Sequence, residues 1–106
     1  MIYDWQIVKE PTIDELEENK PIEVFVGNRE VGLLKLKKGL YAFAAKCPHA
    51  SGRFCEGWMD AQGRLVCPIH KYRFDPVNGR NTSGEGYKLK TFPVEIREGN
   101  IYIGLW

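Results

Sequence analysis

Two short segments of the chain each place a cysteine close to a histidine. The first reads Cys47-Pro48-His49 and the second reads Cys67-Pro68-Ile69-His70. Together they offer two thiolates and two imidazoles, which are ligands that transition metals bind well in proteins. Because the ligands of each pair are so close in sequence, each pair lies at the tip of a tight loop, and both loops can approach one centre from the same side. A [2Fe–2S] cluster with two histidines on one iron uses this ligand set, and its chemistry is the transfer of single electrons.

The spacing also predicts how the four side chains divide between the two irons. We expect Cys47 and Cys67 to bind the buried iron, and His49 and His70 to bind the outer iron. A proline follows each cysteine, and because proline fixes φ and has no N–H, it stiffens both loop tips. The four side chains are therefore the predicted metal-ligating and cofactor-binding residues.

A structural zinc ion is the competing interpretation of the same four residues. Two cysteines and two histidines can surround Zn²⁺ as a tetrahedron. However, the Cys-x-His pair is shorter than the usual C-x₂₋₄-C arm of a zinc site, and here each arm mixes cysteine with histidine. The spacing favours the iron–sulfur cluster and leaves a zinc-stabilised interaction module as the less favoured alternative.

The residues that flank the two pairs resemble those of the Rieske ferredoxin family, the small electron carriers of bacterial oxygenase systems. Phe54 and Gly57 follow the first pair, where the family has an apolar residue and a glycine. The resemblance covers the chain from about Tyr41 to its end. After the second pair it includes three further segments, which are Tyr72-Arg73-Phe74-Asp75 leading to Asn78-Gly79, Leu89 with Phe92-Pro93-Val94, and Gly99 to Ile103.

This resemblance implies a fold, a cofactor and a function. The fold is an all-β, Rieske-type antiparallel β sandwich or barrel, formed by one domain over 1–106 with an inserted cluster-binding subdomain at about 46–75. The cofactor is one [2Fe–2S] cluster on Cys47, His49, Cys67 and His70. The protein would be a carrier rather than an enzyme, taking one electron from a reductase to a terminal oxygenase or another redox enzyme. The alternative is a Rieske subunit of a larger redox complex, such as a nitrite-reductase-like enzyme.

Departures from the respiratory branch of the family predict a low potential. That branch has a disulfide between two further cysteines, and the corresponding residues here are Gly52 and Ile69. It also has a serine and a tyrosine that donate hydrogen bonds towards the cluster sulfurs, where this chain has Tyr72 and Phe74. Because fewer donors stabilise the more negative reduced cluster less, we expect a midpoint of roughly −150 to −50 mV, at the low end of the Rieske range.

The elements that must position these residues are short strands. Apolar and polar residues alternate in segments that are separated by turns containing glycine, which is typical of an all-β fold. Thr12 is a possible N-cap of a short helical turn, because Glu15 follows three residues later. The predicted strands are Trp5–Lys9, Ile22–Val26, Val31–Leu36 (joined to the preceding strand by a Gly27-Asn28 hairpin turn), Leu40–Ala44, Arg64–Cys67, Tyr72–Phe74, Val94–Ile96 and Ile101–Ile103.

Composition excludes several other classes of protein. A net charge of +1 over 106 residues argues against a nucleic-acid binder, and no apolar run is long enough for a membrane span. The N-terminal residues lack the pattern of a signal peptide. Of three cysteines, two are predicted ligands, so Cys55 has no partner for an internal disulfide. We therefore expect a soluble, cytoplasmic monomer in which Cys55 is a passive, partly buried thiol.

Charged residues near the predicted ligands allow two interpretations. Lys46, Arg53, Lys71 and Arg73 flank the two Cys-His pairs, together with several acidic residues. Ordinary solvated charge is the simpler interpretation. The functional one is a mildly basic docking face for an acidic redox partner.

Overall fold

The computed structural model describes residues 2–49 and 52–106. Met1, Ala50 and Ser51 lie outside the described residues, so the predictions that span them, 1–106 for the domain and 46–75 for the subdomain, are only partly covered. Within the described ranges the chain forms ten strands: β1 Asp4–Val8, β2 Ile22–Val26, β3 Arg29–Leu36, β4 Gly39–Ala44, β5 Trp58–Met59, β6 Leu65–Val66, β7 Arg73–Phe74, β8 Thr91–Phe92, β9 Val94–Arg97 and β10 Asn100–Leu105.

The strands form three antiparallel sheets. Their orders are β1-β10-β9, β2-β3-β4-β8 and β5-β6-β7. The first two sheets enclose a core of aliphatic side chains, most of them from β2, β3 and β10. The small third sheet lies between β4 and β8 in the chain. The all-β prediction with an inserted cluster-binding part is confirmed, although the pairs Trp58↔Val66 and Met59↔Leu65 show that β5, which no sequence pattern predicted, is a strand.

Strands β3 and β4 are buried on both faces, so they belong to two cores at once. Leu33 and Ala42 point into the core between the two larger sheets, whereas Leu34 and Phe43 point into a second core. Gly32 is directly opposite Phe43 in the β3–β4 ladder. A Cβ at Gly32 would lie 2.2 Å from Cε1 of the Phe43 ring. Only glycine therefore lets this ring lie flat across β3.

A row of phenylalanines joins the third sheet to the larger ones. Phe43 packs edge-to-face on Phe54, and Phe54 packs edge-to-face on Phe74, with 5.8 Å between ring centroids in both pairs. Such aromatic pairs contribute about 0.5–1.5 kcal/mol each beyond the area they bury. The same second core contains Cys47 and Cys67. The packing of these rings thus fixes the predicted ligand loops relative to the main sheets.

The local predictions for the N-terminal half are confirmed. Gly27 and Asn28 form the two-residue turn between β2 and β3, and Gly27 has the positive φ of 62° that such a hairpin turn needs. A 3₁₀ helix spans Ile13–Glu15 directly after Thr12, and the Glu15 carboxylate accepts the Thr12 backbone N–H at 2.9 Å. The second 3₁₀ helix spans Phe54–Glu56. In the described part of the chain, no helix has both the length and the apolar character needed to cross a membrane.

Candidate metal centre

The two predicted cysteine ligands lie together at the edge of the second core. Cys47 and Cys67 are 4% and 0% exposed, and both lie in the same hydrophobic core. Each ligand loop is closed by a backbone hydrogen bond, from Cys47 N to Gly52 O at 2.8 Å and from Cys67 N to Tyr72 O at 2.9 Å. The Ile69 backbone N–H donates to the Cys67 sulfur. Burial raises the pKa of Cys67 to about 11, so the thiolate would need a metal cation as compensation.

The two predicted histidine ligands form a second pair. His49 Nε2 and His70 Nδ1 are 3.2 Å apart. His70 is exposed and His49 is half-buried. His70 and Lys71 take positive φ values of 61° and 59°, which makes the tight turn that brings His70 towards the first loop. The His49 Nδ1 atom is buried and has no hydrogen-bond partner in the described part of the chain. Because buried polar atoms are rarely left unpaired, this nitrogen fits the role of a ligand to a group bound there.

The four side chains are arranged as two pairs rather than as one tetrahedron. Among residues 2–49 and 52–106, no group of three or more His, Cys, Asp and Glu side chains is arranged to hold a single metal ion. A mononuclear zinc site needs all four ligands around one point. A two-iron cluster needs two protein ligands on each iron, so the paired arrangement fits a [2Fe–2S] group better than zinc.

The first loop approaches the second so closely that a side chain would not fit between them. A Cβ at Gly52 would lie 2.8 Å from Cys67 Sγ and 3.1 Å from Ile69 Cδ1. Gly52 and Ile69 are thus neighbours, as expected for the two positions that hold a disulfide in the respiratory branch. Gly57 is equally restricted, since a Cβ there would lie 2.0 Å from Val66 O. Both glycines are needed for their small size.

Aromatic rings cover one side of His49. The Tyr72 ring lies 4.0 Å from the His49 ring, with 33° between their planes. Tyr87 contacts His49 in an edge-on arrangement at 5.6 Å and lies 5.9 Å from Tyr72. Tyr87 was not predicted, because it lies in a loop rich in Gly, Asn and Ser without any recognisable motif. His49 is therefore shielded by tyrosines while His70 remains open to solvent.

A carboxylate near His49 was also missed by sequence reasoning. Glu85 accepts hydrogen bonds from Ser83 Oγ and, at 2.9 Å, from Asn81 Nδ2. These bonds lower the pKa of Glu85, so its carboxylate is ionised at neutral pH. Burial, together with the Glu85 charge, raises the pKa of Tyr72. Glu85 is thus a fixed negative charge within electrostatic reach of the Tyr72 ring.

Of the two interpretations of the charges near the predicted ligands, a basic docking face is not supported for the two arginines. Arg53 NH1 bonds to the carboxylates of Glu23 and Glu30, at 2.5 Å and 2.8 Å. Arg73 Nε lies 3.3 Å from Asp60 Oδ2. Because both arginines have intramolecular partners, neither is free to attract an acidic protein.

The prediction for Cys55 is corrected in part. Cys55 is exposed rather than partly buried, and its thiol donates a 3.5 Å hydrogen bond to Glu23 Oε2. Desolvation of the sulfur and the nearby Glu23 carboxylate raise the pKa of Cys55. A smaller thiolate fraction at neutral pH makes this thiol less reactive, in agreement with a passive role.

Comparison with known proteins decides the family. The family model described as Rieske [2Fe-2S] domain matches residues 4–93. The chain belongs to the Rieske [2Fe-2S] domain family. Its cofactor is therefore one [2Fe–2S] cluster, which holds and passes on one electron at a time. The predicted role of this Rieske protein as an electron carrier is confirmed.

A curated relative supports the same conclusion, and two solved structures share the fold. The ferredoxin component of the alkene monooxygenase system of Xanthobacter autotrophicus (strain ATCC BAA-1158 / Py2) is 30% identical over 102 residues, which is 95% of this chain and 83% of the relative. The ferredoxin of carbazole 1,9a-dioxygenase from Nocardioides aromaticivorans IC177 superposes with a TM-score of 0.84 at 24% identity, covering 95% of this chain and 99% of that one.

The second structure comes from a different redox system. It is described as the small subunit of an NADH-dependent nitrite reductase from Mycobacterium tuberculosis, and it superposes with a TM-score of 0.84 at 20% identity. The match covers 100% of this chain and 98% of that one. At identities of 24% and 20%, the two solved structures show that they share their fold with this chain.

Proposed function

We propose that Cys47 and Cys67 bind one iron of the [2Fe–2S] cluster and that His49 and His70 bind the other. The segment 46–75 would then be the cluster-binding part of a single domain spanning 1–106. The observation that carries this assignment is the arrangement of the four side chains as a buried thiol pair and an imidazole pair. The unpaired His49 Nδ1 supports it from the histidine side.

We further propose that the protein takes one electron from a reductase and delivers it to a terminal oxygenase or another redox enzyme. The alkene monooxygenase relative is named as the ferredoxin component of an oxygenase system, and it aligns with 95% of this chain. The exposed edge of His70 offers the partner a short route to the cluster. The three cysteines are all free thiols, which suits a reducing compartment such as the cytoplasm.

A fixed subunit of a nitrite-reductase-like complex is the second candidate. The likeness to the Mycobacterium tuberculosis small subunit favours it, but the TM-score is 0.84 for that structure and for the carbazole dioxygenase ferredoxin alike. The two candidates differ in assembly. A free carrier is expected to elute as a 12.2 kDa monomer, whereas a subunit would co-purify with its larger partner from the native cells.

Low-temperature EPR of three cysteine variants tests the ligand assignment. Wild-type protein is expected to show a signal only after reduction by dithionite, with an average g below the free-electron value. Cys47→Ser and Cys67→Ser should lose this signal and their iron, because serine is a poor ligand for the inner iron. Cys55→Ser is the matched control and should keep both, since Cys55 is exposed and away from the thiol pair.

Two outcomes would contradict the proposal. If Cys47→Ser or Cys67→Ser keeps the full signal, the ligands are assigned wrongly. If wild-type protein contains zinc, lacks iron and is silent in EPR before and after reduction, the site is structural and the electron-transfer function is wrong.

A further inference from the structure

Two basic side chains near the cluster site have no function in the fold. Arg80 and Lys88 face each other in an isolated antiparallel bridge, and both are exposed. They line a surface cavity of about 540 Å³ together with Asn78, Asn81 and Tyr87. Neither residue belongs to the ligand loops or to either hydrophobic core.

The two positive charges belong to residues that face each other. Like charges directly opposite each other in a bridge destabilise the pairing, and neither cation forms an ion pair with a described carboxylate. Glu85 is close in sequence, but its carboxylate is held by Ser83 and Asn81 instead. An external anion between Arg80 and Lys88 would relieve their repulsion.

The cavity adjoins the proposed cluster site through Tyr87. This tyrosine lines the cavity, and its ring contacts His49 at 5.6 Å. A group bound between the two cations would therefore be linked to the proposed ligand His49 through the ring of Tyr87. Because the cavity is open and its walls are exposed, it suits a side chain projecting from a protein surface better than an enclosed small molecule.

We propose that Arg80 and Lys88 are a docking site for a carboxylate cluster on the surface of the redox partner. The inference rests on the proposed electron-transfer function and specifies the chemistry of the partner. Arginine binds carboxylates through two parallel hydrogen bonds, and lysine adds a second positive charge. Attraction of this kind accelerates encounter while leaving the complex short-lived, as repeated electron delivery requires.

The charge of small oxidants tests this site without a known partner. Reduced holoprotein is mixed in a stopped-flow instrument with hexacyanoferrate(III), an anion, or with tris(1,10-phenanthroline)cobalt(III), a cation. Each oxidant accepts one electron from the reduced protein, giving hexacyanoferrate(II) or the cobalt(II) complex. The test variant is R80Q/K88Q. The matched control is K37Q/K38Q, which loses the same charge at the β3–β4 turn, the end of that hairpin remote from the ligand loops.

The measured quantity is the rate constant for the anionic oxidant divided by that for the cationic oxidant. At low ionic strength, we expect R80Q/K88Q to lower this ratio by about threefold or more relative to the wild type. The difference should disappear at high salt, where the Debye length is about 3 Å. K37Q/K38Q should leave the ratio of the two rate constants near that of the wild type. The wild type and both double variants should have the same midpoint potential. A change in driving force then cannot explain the change in the rate constants.

Competition with peptides identifies the anion. Hexaglutamate is expected to slow oxidation of the wild type by hexacyanoferrate(III), and to have little effect on R80Q/K88Q at the same ionic strength. Inhibition by inorganic phosphate but not by hexaglutamate would overturn the proposal in favour of a small-anion site. Equal rate ratios in the two double variants would also overturn it, while the proposed function would stand on the EPR signal. Absence of that signal would overturn both.

Discussion

At the scale of single residues, the two sides of the site differ in their surroundings. The cysteine thiols are buried in an apolar core, and none of the buried residues that the structure describes is a cation that could compensate thiolate charge. The histidines lie at the surface, one shielded by tyrosine rings and the other exposed. This asymmetry makes His70 the more accessible of the two imidazoles, so we expect electrons to leave on its side.

Glu85 is expected to lower the midpoint potential. Its carboxylate is ionised and held in place by Asn81 and Ser83, two residues before Tyr87, whose ring contacts His49. A fixed negative charge opposes addition of an electron to the nearby cluster. We predict that Glu85→Gln raises the midpoint by about 30 to 60 mV, a three- to tenfold change in the reduction equilibrium constant. Protein-film voltammetry measures this shift.

A second carboxylate provides the control for Glu85. Glu95 lies on β9 in another sheet and pairs with Arg97 at 3.2 Å. Glu95→Gln removes the same charge from the protein and should leave the potential within about 10 mV of the wild type, because distant surface charges are screened by salt. Equal shifts in both variants would show that total charge, and not the position of Glu85, is responsible.

At the scale of elements, the ligand segments are supported by loops rather than by long strands. The loop that contains Ser83 is bound to β7, since Arg73 N donates to Ser83 Oγ and Thr82 N donates to Arg73 O, both at 2.9 Å. These bonds hold the loop that places the Tyr87 ring against His49 of the first predicted ligand loop. A short strand with good hydrogen-bond partners is therefore enough to position the site.

Arg53 fastens the first ligand loop to the hairpin formed by β2 and β3. Its guanidinium, half-buried, bonds to Glu23 on β2 and Glu30 on β3. We predict that Arg53→Gln lowers the free energy of unfolding at pH 7 by about 1 kcal/mol, a value that allows for partial exposure of the pair. Urea unfolding measures it. Arg64→Gln is the control and should change the stability little, because the Arg64 guanidinium donates to the neutral side chain of Gln62 and pairs with no described carboxylate.

The contribution of Arg53 should depend on pH in one direction. The hydrogen bond from Arg53 holds the pKa of Glu23 below its usual value of 4.5. A carboxyl group whose folded pKa is lowered stabilises the fold fully above its unfolded pKa and loses that contribution as pH falls through the folded pKa. The difference in the free energy of unfolding between wild type and Arg53→Gln should thus be constant from pH 7 to about 5. It should shrink below about pH 4.5. A difference that grows on acidification would contradict the ion-pair explanation.

At the scale of the whole molecule, stability depends on how the sheets are joined. The β3–β4 ladder serves both cores, with Leu33 on one face and Leu34 on the other. A second junction lies at Trp106, whose indole N–H donates to Thr91 O at 3.1 Å and whose backbone oxygen accepts Lys90 Nζ at 2.7 Å. These bonds connect the end of β10 in one sheet to β8 in another.

Removal of the Trp106 side chain should therefore destabilise the fold. We predict that Trp106→Ala lowers the free energy of unfolding by about 1–2 kcal/mol, from the lost hydrogen bond and the lost packing on Phe92. Trp58→Ala is the matched control, since Trp58 and Trp106 are 45% and 48% exposed. Trp58 makes no side-chain hydrogen bond to a described residue, so its loss should cost less. Urea unfolding followed by circular dichroism measures the free energy of unfolding of both variants. Equal decreases in the two variants would contradict a role for the Trp106 hydrogen bond.

The metal chemistry and the class of fold could be predicted from the sequence. Ligand chemistry depends on residue type and on short spacing, both of which can be read directly from Cys47-Pro48-His49 and from the Cys67 to His70 segment. Alternating apolar residues predicted the β2–β3 hairpin because successive side chains of a strand point to opposite faces of the sheet. These are local properties, and they hold before the chain is folded.

The residues that surround the proposed ligands, in contrast, are brought there by the packing of the sheets. Tyr87 and Glu85 come close to His49 through a loop without periodicity, which is held in place by its bonds to Arg73. Arg53 looked like a free surface charge in the sequence, yet its partners Glu23 and Glu30 come from another sheet. Such contacts join residues far apart in the chain, and their geometry follows from how the sheets pack. No local pattern in a single sequence specifies that packing.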